Sequence, residues 1–142
     1  MFKGLYNHII DTKGRLIIPA KFRDELGDTF VVTKGLDSCL WIYAMEDWKK
    51  LEEKLISLPI TNPTARKLNR YIIGSALEVE LDKMGRILLS QPLRKAVGLE
   101  KEVVLTGVGN KIEIWDKERW EEINSLTDED IESFESLEGF GI

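Results

Sequence analysis

The segment Asp11-Thr-Lys-Gly-Arg15-Leu-Ile-Ile returns as Asp82-Lys-Met-Gly-Arg86-Ile-Leu-Leu at an offset of 71. The same offset pairs Arg23 with Arg94 and Gly27 with Gly98. An offset of 72 then pairs Val31-Val32 with Val103-Val104, Gly35 with Gly107, Ile42 with Ile114 and Trp48 with Trp120. Matches kept in one order, several of them Gly and Trp, mean that the chain is two copies of one unit. The copies span residues 5–48 and 76–120, with a helical connector at 49–75 and an acidic helix or tail at 121–142. A unit of about 45 residues cannot bury a sufficient core alone. The two copies are therefore expected to close on each other around a pseudo-twofold axis, as a barrel.

Each copy reads as mostly strand. Tyr6-x-His8-x-Ile10 and Leu77-x-Val79-x-Leu81 alternate with period two, and the apolar runs Leu16–Ile18 and Ile87–Leu89 follow a glycine-containing turn. A short helical turn comes next, with Pro19 at its first position, Phe22 and Leu26 four apart, and Gly27 ending it. Ser90, Leu93, Val97 and Gly98 take the same parts in the second copy. Phe30–Thr33 and Val103–Thr106 predict third strands, turned by Gly35 and by Gly107-x-Gly109-Asn110, and Leu40–Tyr43 and Ile112–Trp115 predict the fourth. Trp48, Leu51, Leu55 and Leu58 form one stripe of a helix that stops at Pro59, and residues 64–73 predict a linker helix. Trp120 and Ile123 begin another helix, and Thr127-x-x-Asp130 resembles a capping box for a short helix through Ile131, Phe134 and Leu137. The predicted class is mainly β with peripheral α-helices.

Composition removes several classes of function. At 43% hydrophobic and 32% charged the chain is not disordered. Its apolar runs of about four residues fall far short of the roughly 18 that cross a bilayer, so no membrane partner is expected. Met1-Phe2-Lys3-Gly4 lacks the apolar core of a signal peptide, and the expected location is the cytoplasm. One cysteine, Cys39, and one histidine, His8, leave little material for a metal centre or a His-based triad. His8 reads as a packing or surface residue and Cys39 as a small, half-buried apolar one. The four tryptophans read as core or subunit contacts rather than platforms for bases. Gly107-x-Gly109-Asn110 is too short and too strand-flanked for a dinucleotide loop. The expectation is no enzyme, no catalytic residues, no cofactor and no metal.

The net charge is −5, yet residues 121–142 hold eight acidic side chains and no basic one, which leaves 20 basic groups against 17 acidic ones, a net of +3, over residues 1–120. Binding to nucleic acid depends on where charge sits on a surface rather than on the total. The Asp-x-x-Gly-Arg segments read as tight hairpin turns from which Lys13, Arg15, Lys83 and Arg86 project. A guanidinium is planar, permanently charged and able to bond guanine O6/N7 or a phosphate with two donors at once. Gly14 and Gly85 supply the positive φ such a turn requires, and Asp11 and Asp82 accept backbone hydrogen bonds within it. Pairing of Arg15 with Asp11 as a surface ion pair is the competing role. Arg23, Arg94, Lys3 and Lys21 read as solvated surface charge, with Arg23 within reach of a phosphate. Lys13 in the first loop becomes Met84 in the second, while Thr12 becomes Lys83, so the loops need not bind equally.

These tandem Asp-x-x-Gly-Arg units, with the flanks Met1-Phe2-Lys3-Gly4, Leu16-Ile-Ile-Pro-Ala-Lys-Phe-Arg23 and Gly107-Val-Gly-Asn-Lys-Ile-Glu-Ile-Trp115, resemble the SpoVT–AbrB family of bacterial DNA-binding modules. The likeness covers residues 1 to about 125 and is closest to members that carry both copies in one chain. It implies a double-psi or swapped-hairpin β-barrel and a sequence-specific regulator of transcription that binds double-stranded DNA through Arg15, Arg86, Lys13 and Lys83. It further implies direct repeats in the promoter of the bacterial division and cell-wall gene cluster, repression including that of its own gene, ring-shaped homo-oligomers and association with the nucleoid. Three alternatives stand beside it: an antitoxin-type autorepressor, a barrel enzyme using a group other than His8, and a ring-forming scaffold that binds no DNA.

Overall fold

The computed structural model describes residues 1–142, all of the chain. The first repeat supplies β1 (Phe2–Ile9), β2 (Arg15–Ile17), α1 (Ala20–Leu26), β3 (Thr29–Lys34), β4 (Leu40–Ala44) and α2 (Met45–Ile56). The connector adds α3 (Pro63–Ile72) and a short 3-10 turn at Ile73–Ser75. The second repeat gives β5 (Leu77–Glu80), β6 (Arg86–Leu88), α4 (Gln91–Ala96), β7 (Glu102–Gly109), β8 (Ile112–Asp116) and α5 (Lys117–Asn124). The chain ends with α6 (Asp128–Glu135) and a 3-10 turn at Glu138–Phe140.

Six strands form one antiparallel sheet in the order β1-β7-β8-β4-β3-β5, and β2 pairs only with β6. The order is palindromic in the repeats. The fourth strands β4 and β8 meet at the centre with Trp41 opposite Glu113, and each first strand lies outside the other repeat's third strand. The repeats thus exchange strands, and the fold is a swapped-hairpin barrel rather than two adjoining units. The expected hairpins at Asp11 and Asp82 are corrected here. Each turn is tight, but the strands on either side diverge, because β1 pairs with β7 and β2 with β6.

Pairing also revises two details of the alignment. Tyr6 opposes Leu105 as Leu77 opposes Val32, so the third strands superpose at an offset of 73 and Val31-Val32 correspond to Val104-Leu105. The offset returns to 72 in the fourth strands because the β3–β4 turn has three residues, Leu36-Asp37-Ser38, and the β7–β8 turn has two, Gly109-Asn110. Gly107 is not in that turn. It lies within β7 opposite Gly4, and a Cβ there would strike the backbone of Phe2 and Lys3. Pro19 caps α1 rather than opening it, and Leu58 falls beyond the end of α2, outside the expected stripe.

Period-two alternation sends Leu16, Ile18, Ile87 and Leu89 of the ribbon and Phe30, Val32, Leu40, Ile42, Leu105, Ile112 and Ile114 of the sheet into one core. Phe22 of α1 and Leu93 of α4 close its ends. Phe2 and Tyr6 meet the Phe22 ring edge-to-face at 5.7 and 5.2 Å. A second cluster lies on the outer side of the sheet, where Val31, Trp41, Tyr43, Trp48, Leu55, Ile72 and Trp115 pack under α2, α3 and α5. Cys39 is fully buried rather than half-buried, and burial pushes its thiol well above the usual range. Three of the four tryptophans, Trp41, Trp48 and Trp115, are buried in this cluster, and Trp120 packs edge-on to Trp115 at 5.6 Å.

Candidate nucleic-acid interface

The Asp-x-x-Gly-Arg sequence makes the same turn twice. Asp11 Oδ1 accepts the backbone N–H groups of Lys13 and Arg15 at 2.9 Å each, and the Asp11 carbonyl accepts Gly14 N–H at 3.0 Å. Asp11 Oδ2 accepts Arg15 Nε at 2.7 Å. In the second copy Asp82 Oδ1 accepts Met84 and Arg86 N–H at 2.9 Å each, and Oδ2 accepts Arg86 Nε at 2.8 Å. The backbone hydrogen bonds expected of the aspartates and the ion pair weighed for Arg15 are therefore both present, and the second loop repeats them. The Arg15 backbone N–H is the largest influence holding the Asp11 carboxyl down at about 2, and the Arg86 N–H lowers Asp82 in the same way. These pairs are solvent-screened, so their main effect is orientation rather than stability.

Orientation matters because the aspartate engages only the Nε edge of each guanidinium. The four η N–H groups of Arg15, and those of Arg86, have no partner within the chain. The side chains are 34% and 21% exposed. Both residues belong to the β2–β6 ribbon, where Arg15 opposes Leu88 and Arg86 opposes Ile17. Leu16 and Ile87 point into the core, so Arg15, Ile17, Arg86 and Leu88 share the outward face. Ile17 is 46% exposed and Leu88 63% exposed. The outward face is thus two pinned arginines at a diagonal of about 7–8 Å between their Cα atoms, with apolar side chains beside them.

The ribbon also fixes the turns to each other. Leu89 N–H donates to the Gly14 carbonyl at 2.8 Å, and Ile18 N–H donates to the Gly85 carbonyl at 2.9 Å. Gly14 and Gly85 have φ of 85° and 76°. A Cβ on Gly14 would stand 2.9 Å from the Leu89 carbonyl and 3.1 Å from Arg94 Nη2, and one on Gly85 would strike the Arg23 guanidinium. Each loop glycine is therefore covered by the arginine of the opposite repeat. Arg94 is anchored by Nε donating to the Leu89 carbonyl at 3.1 Å. Arg23 and Arg94, read from sequence as solvated charge, are half-buried members of the loop clusters. Their matched positions in the repeat were the signal available for finding them. Lys13 and Lys83 lie at the exposed tips with no ion-pair partner, whereas Lys3 and Lys21 line a separate hollow beside Phe2 and Phe22. His8 is half-buried in β1, opposite Val103 and away from the ribbon.

Two strand-exchanging repeats, each delivering an arginine turn to one shared ribbon, define a tandem swapped-hairpin barrel of the SpoVT–AbrB kind. The chain belongs to the MraZ family: the family model described as "MraZ protein, putative antitoxin-like" matches it twice, over residues 1–71 and 72–137. The chain is 50% identical over 143 residues to the transcriptional regulator MraZ of Caldanaerobacter subterraneus subsp. tengcongensis, covering 100% of both chains. It is 49% identical over 142 residues to the transcriptional regulator MraZ of Clostridium tetani, again over 100% of both. With the protein of the same name from Clostridium acetobutylicum it shares 54% identity over 124 residues, 87% of each chain. The match to residue 137 corrects the sequence reading, which ended the likeness near residue 125 and left the acidic helix outside it.

Proposed function

We propose that this chain is a sequence-specific DNA-binding regulator of transcription that presents the outward face of the β2–β6 ribbon to the major groove. The observation that carries the reading is the doubled arginine turn: a guanidinium pinned by its Nε edge to Asp11 or Asp82, with its η donors free and directed outward from a rigid ribbon. A two-stranded ribbon fits the major groove, bidentate arginine reads guanine, and exposed Ile17 and Leu88 suit a thymine methyl. Lys13 and Lys83 at the loop tips suit phosphates, which fix register without reading sequence. The names of the relatives support regulation of transcription. The resemblance extends the proposal to repression, including of the chain's own gene, at direct repeats of a division and cell-wall gene cluster. It also extends it to a ring-shaped homo-oligomer acting in the cytoplasm at the nucleoid. A ring would repeat weak two-loop contacts at high effective concentration.

The test is operator binding by Arg15→Ala and Arg86→Ala, measured by fluorescence anisotropy with melting curves alongside. Each variant is expected to lose about 1–3 kcal/mol of affinity and to relax discrimination at one base. The fold should be kept, since the only side-chain bond each arginine makes within the chain is a solvent-screened one to its own turn aspartate. Unchanged affinity in the double variant would sink the proposal. The description "antitoxin-like" favours one second reading, an autorepressor that also holds a toxin. A toxic protein encoded beside this chain and retained by it on co-purification would support that reading.

A further inference from the structure

Residues 126–142 make no hydrogen bond or ion pair with the rest of the chain. Helix α6 is nevertheless well formed at its start: Thr127 Oγ1 accepts Asp130 N–H at 3.1 Å, and Asp130 Oδ2 accepts Thr127 N–H at 2.9 Å. Ile131, Phe134 and Leu137 recur at spacing three on one stripe and are each about half exposed. An isolated helix of eight residues is marginal in water, so an apolar stripe of this kind needs a seat. The helix carries Asp128, Glu129, Asp130, Glu132 and Glu135 and no basic residue.

Its own flank is a poor seat. Helix α5 presents exposed Glu118, Glu121 and Glu122, while its cations Lys117 and Arg119 are half-buried at its start, so folding α6 back along its last turns would bring carboxylates together. Away from the ribbon, the outer face of α3 has the opposite character. Arg66, Lys67 and Arg70 are exposed on the outer face of α3, a helix with no acidic residue, and none of them has an ion-pair partner. Arg66 Nη1 donates to the Ile60 carbonyl at 3.0 Å, which ties this face to the α2–α3 turn, where Ile56 and Ile60 are 66% and 82% exposed. An apolar turn bordered by three unpaired cations matches an apolar stripe bordered by carboxylates. The arm makes no hydrogen bond or ion pair with the α3 face of its own chain.

We propose that α6 is an inter-subunit arm whose Ile131–Phe134 stripe and carboxylates seat on the α3 face and α2–α3 turn of a second copy of this chain. Arm and seat are different surfaces, so the contact is head-to-tail, the kind that closes rings. The inference rests on the self-association proposed above only in that its partner is another copy.

The experiment uses the full chain. Arg66→Glu, Lys67→Glu and Arg70→Glu together are expected to lower the assembled molar mass in light scattering while the melting curve is kept. Adding Asp128→Lys, Glu132→Lys and Glu135→Lys to the same chain is expected to restore the mass. Mixing Phe134→Cys copies with Arg70→Cys copies under mild oxidation should give a two-chain cross-link more readily than either alone. An assembly that keeps its mass in the triple reversal overturns the arm alone. So does a reversal that weakens DNA binding at unchanged mass, which would make the α3 face a phosphate-binding surface. A parent chain that is monomeric throughout overturns the arm and the proposed oligomer together, leaving the DNA reading to the Arg15 and Arg86 variants.

Discussion

Around Asp11 and around Asp82 the corresponding side-chain hydrogen bonds agree to within 0.1 Å, although Thr12-Lys13 in one loop becomes Lys83-Met84 in the other. The outer flanks of the same two repeats differ. Thr33 donates its hydroxyl to the Ile72 carbonyl at 2.6 Å and lies 3.0 Å from Ser75 Oγ, so α3 is fastened to β3. The hydroxyl of its counterpart Thr106 has no hydrogen-bond partner, because nothing corresponding to α3 lies over β7. The loops agree because a carboxylate bonding backbone N–H groups is indifferent to the side chains between them. The flanks differ because they depend on side chains of a connector that exists once.

The largest effect tests the symmetry of the core. Leu16 and Ile87 oppose each other at the centre of the ribbon and are both fully buried. Leu16→Ala and Ile87→Ala are each expected to cost about 2–5 kcal/mol in chemical denaturation. A tolerated change at one site and not the other would break the equivalence of the repeats. The flanks come next: Thr33→Val should cost about 0.5–1.5 kcal/mol, since it removes the hydrogen bond to the Ile72 carbonyl, whereas Thr106→Val should stay within about 0.5 kcal/mol. Equal costs would mean that Thr106 has a partner in the assembled protein.

Smaller effects sharpen the comparison of the loops. Lys13→Met should reduce the slope of log affinity against log salt by about 1, and replacing Thr12-Lys13 by Lys-Met should leave that slope unchanged. The smallest effect is that of pH. Asp11 stays ionised in the folded loop down to about 2, below the ordinary value of 3.8, and Asp82 is lowered as well. Carboxylates depressed on folding add stability above the unfolded value and lose it as pH falls through the folded one. Stability should therefore decline between about pH 4 and pH 2. The amide signals of Lys13 and Arg15 should persist to about pH 3 and then shift, and those of Met84 and Arg86 should shift only below the ordinary carboxylate value of 3.8. Loss of these signals already at pH 5 would contradict the hydrogen-bonded carboxylates.

The repeat made the barrel, its pseudo-symmetry and the two turns legible, because offset, period-two alternation and Asp-x-x-Gly-Arg are all properties of a line of residues. Strand exchange was not legible from the pattern. Leu16 alternates with Arg15 and Ile17 in the same way whether β2 pairs with β1 or with β6, so periodicity carries no record of the partner. Resemblance alone offered the swapped barrel, with a double-psi barrel beside it, and strand pairing decides between them. The third-strand offset was hidden because Val31-Val32 aligns as readily with Val103-Val104 as with Val104-Leu105 until pairing fixes which face is buried. Gly107 mimicked a turn residue because close approach of β1 demands the same missing Cβ. Arg23 and Arg94 were underrated since each lies over a glycine in the other repeat, about 60–80 positions away.

The exchange of strands bears on how the chain is made. β1 finds its partner only when β7 exists, and Phe2 opposes Gly109. At a synthesis rate of about 5–20 residues per second, the first strand waits roughly 5–20 s on the ribosome for the strand that will satisfy it. The first repeat cannot mature alone, and the ribbon is equally unmade until residues 86–88 emerge. Such distant pairing places closure late and predicts slow folding for a domain of this size. During the wait, β1 is an unpaired strand with Phe2 and Tyr6 uncovered, and Lys3 is the residue that discourages its pairing with a neighbour on the same message.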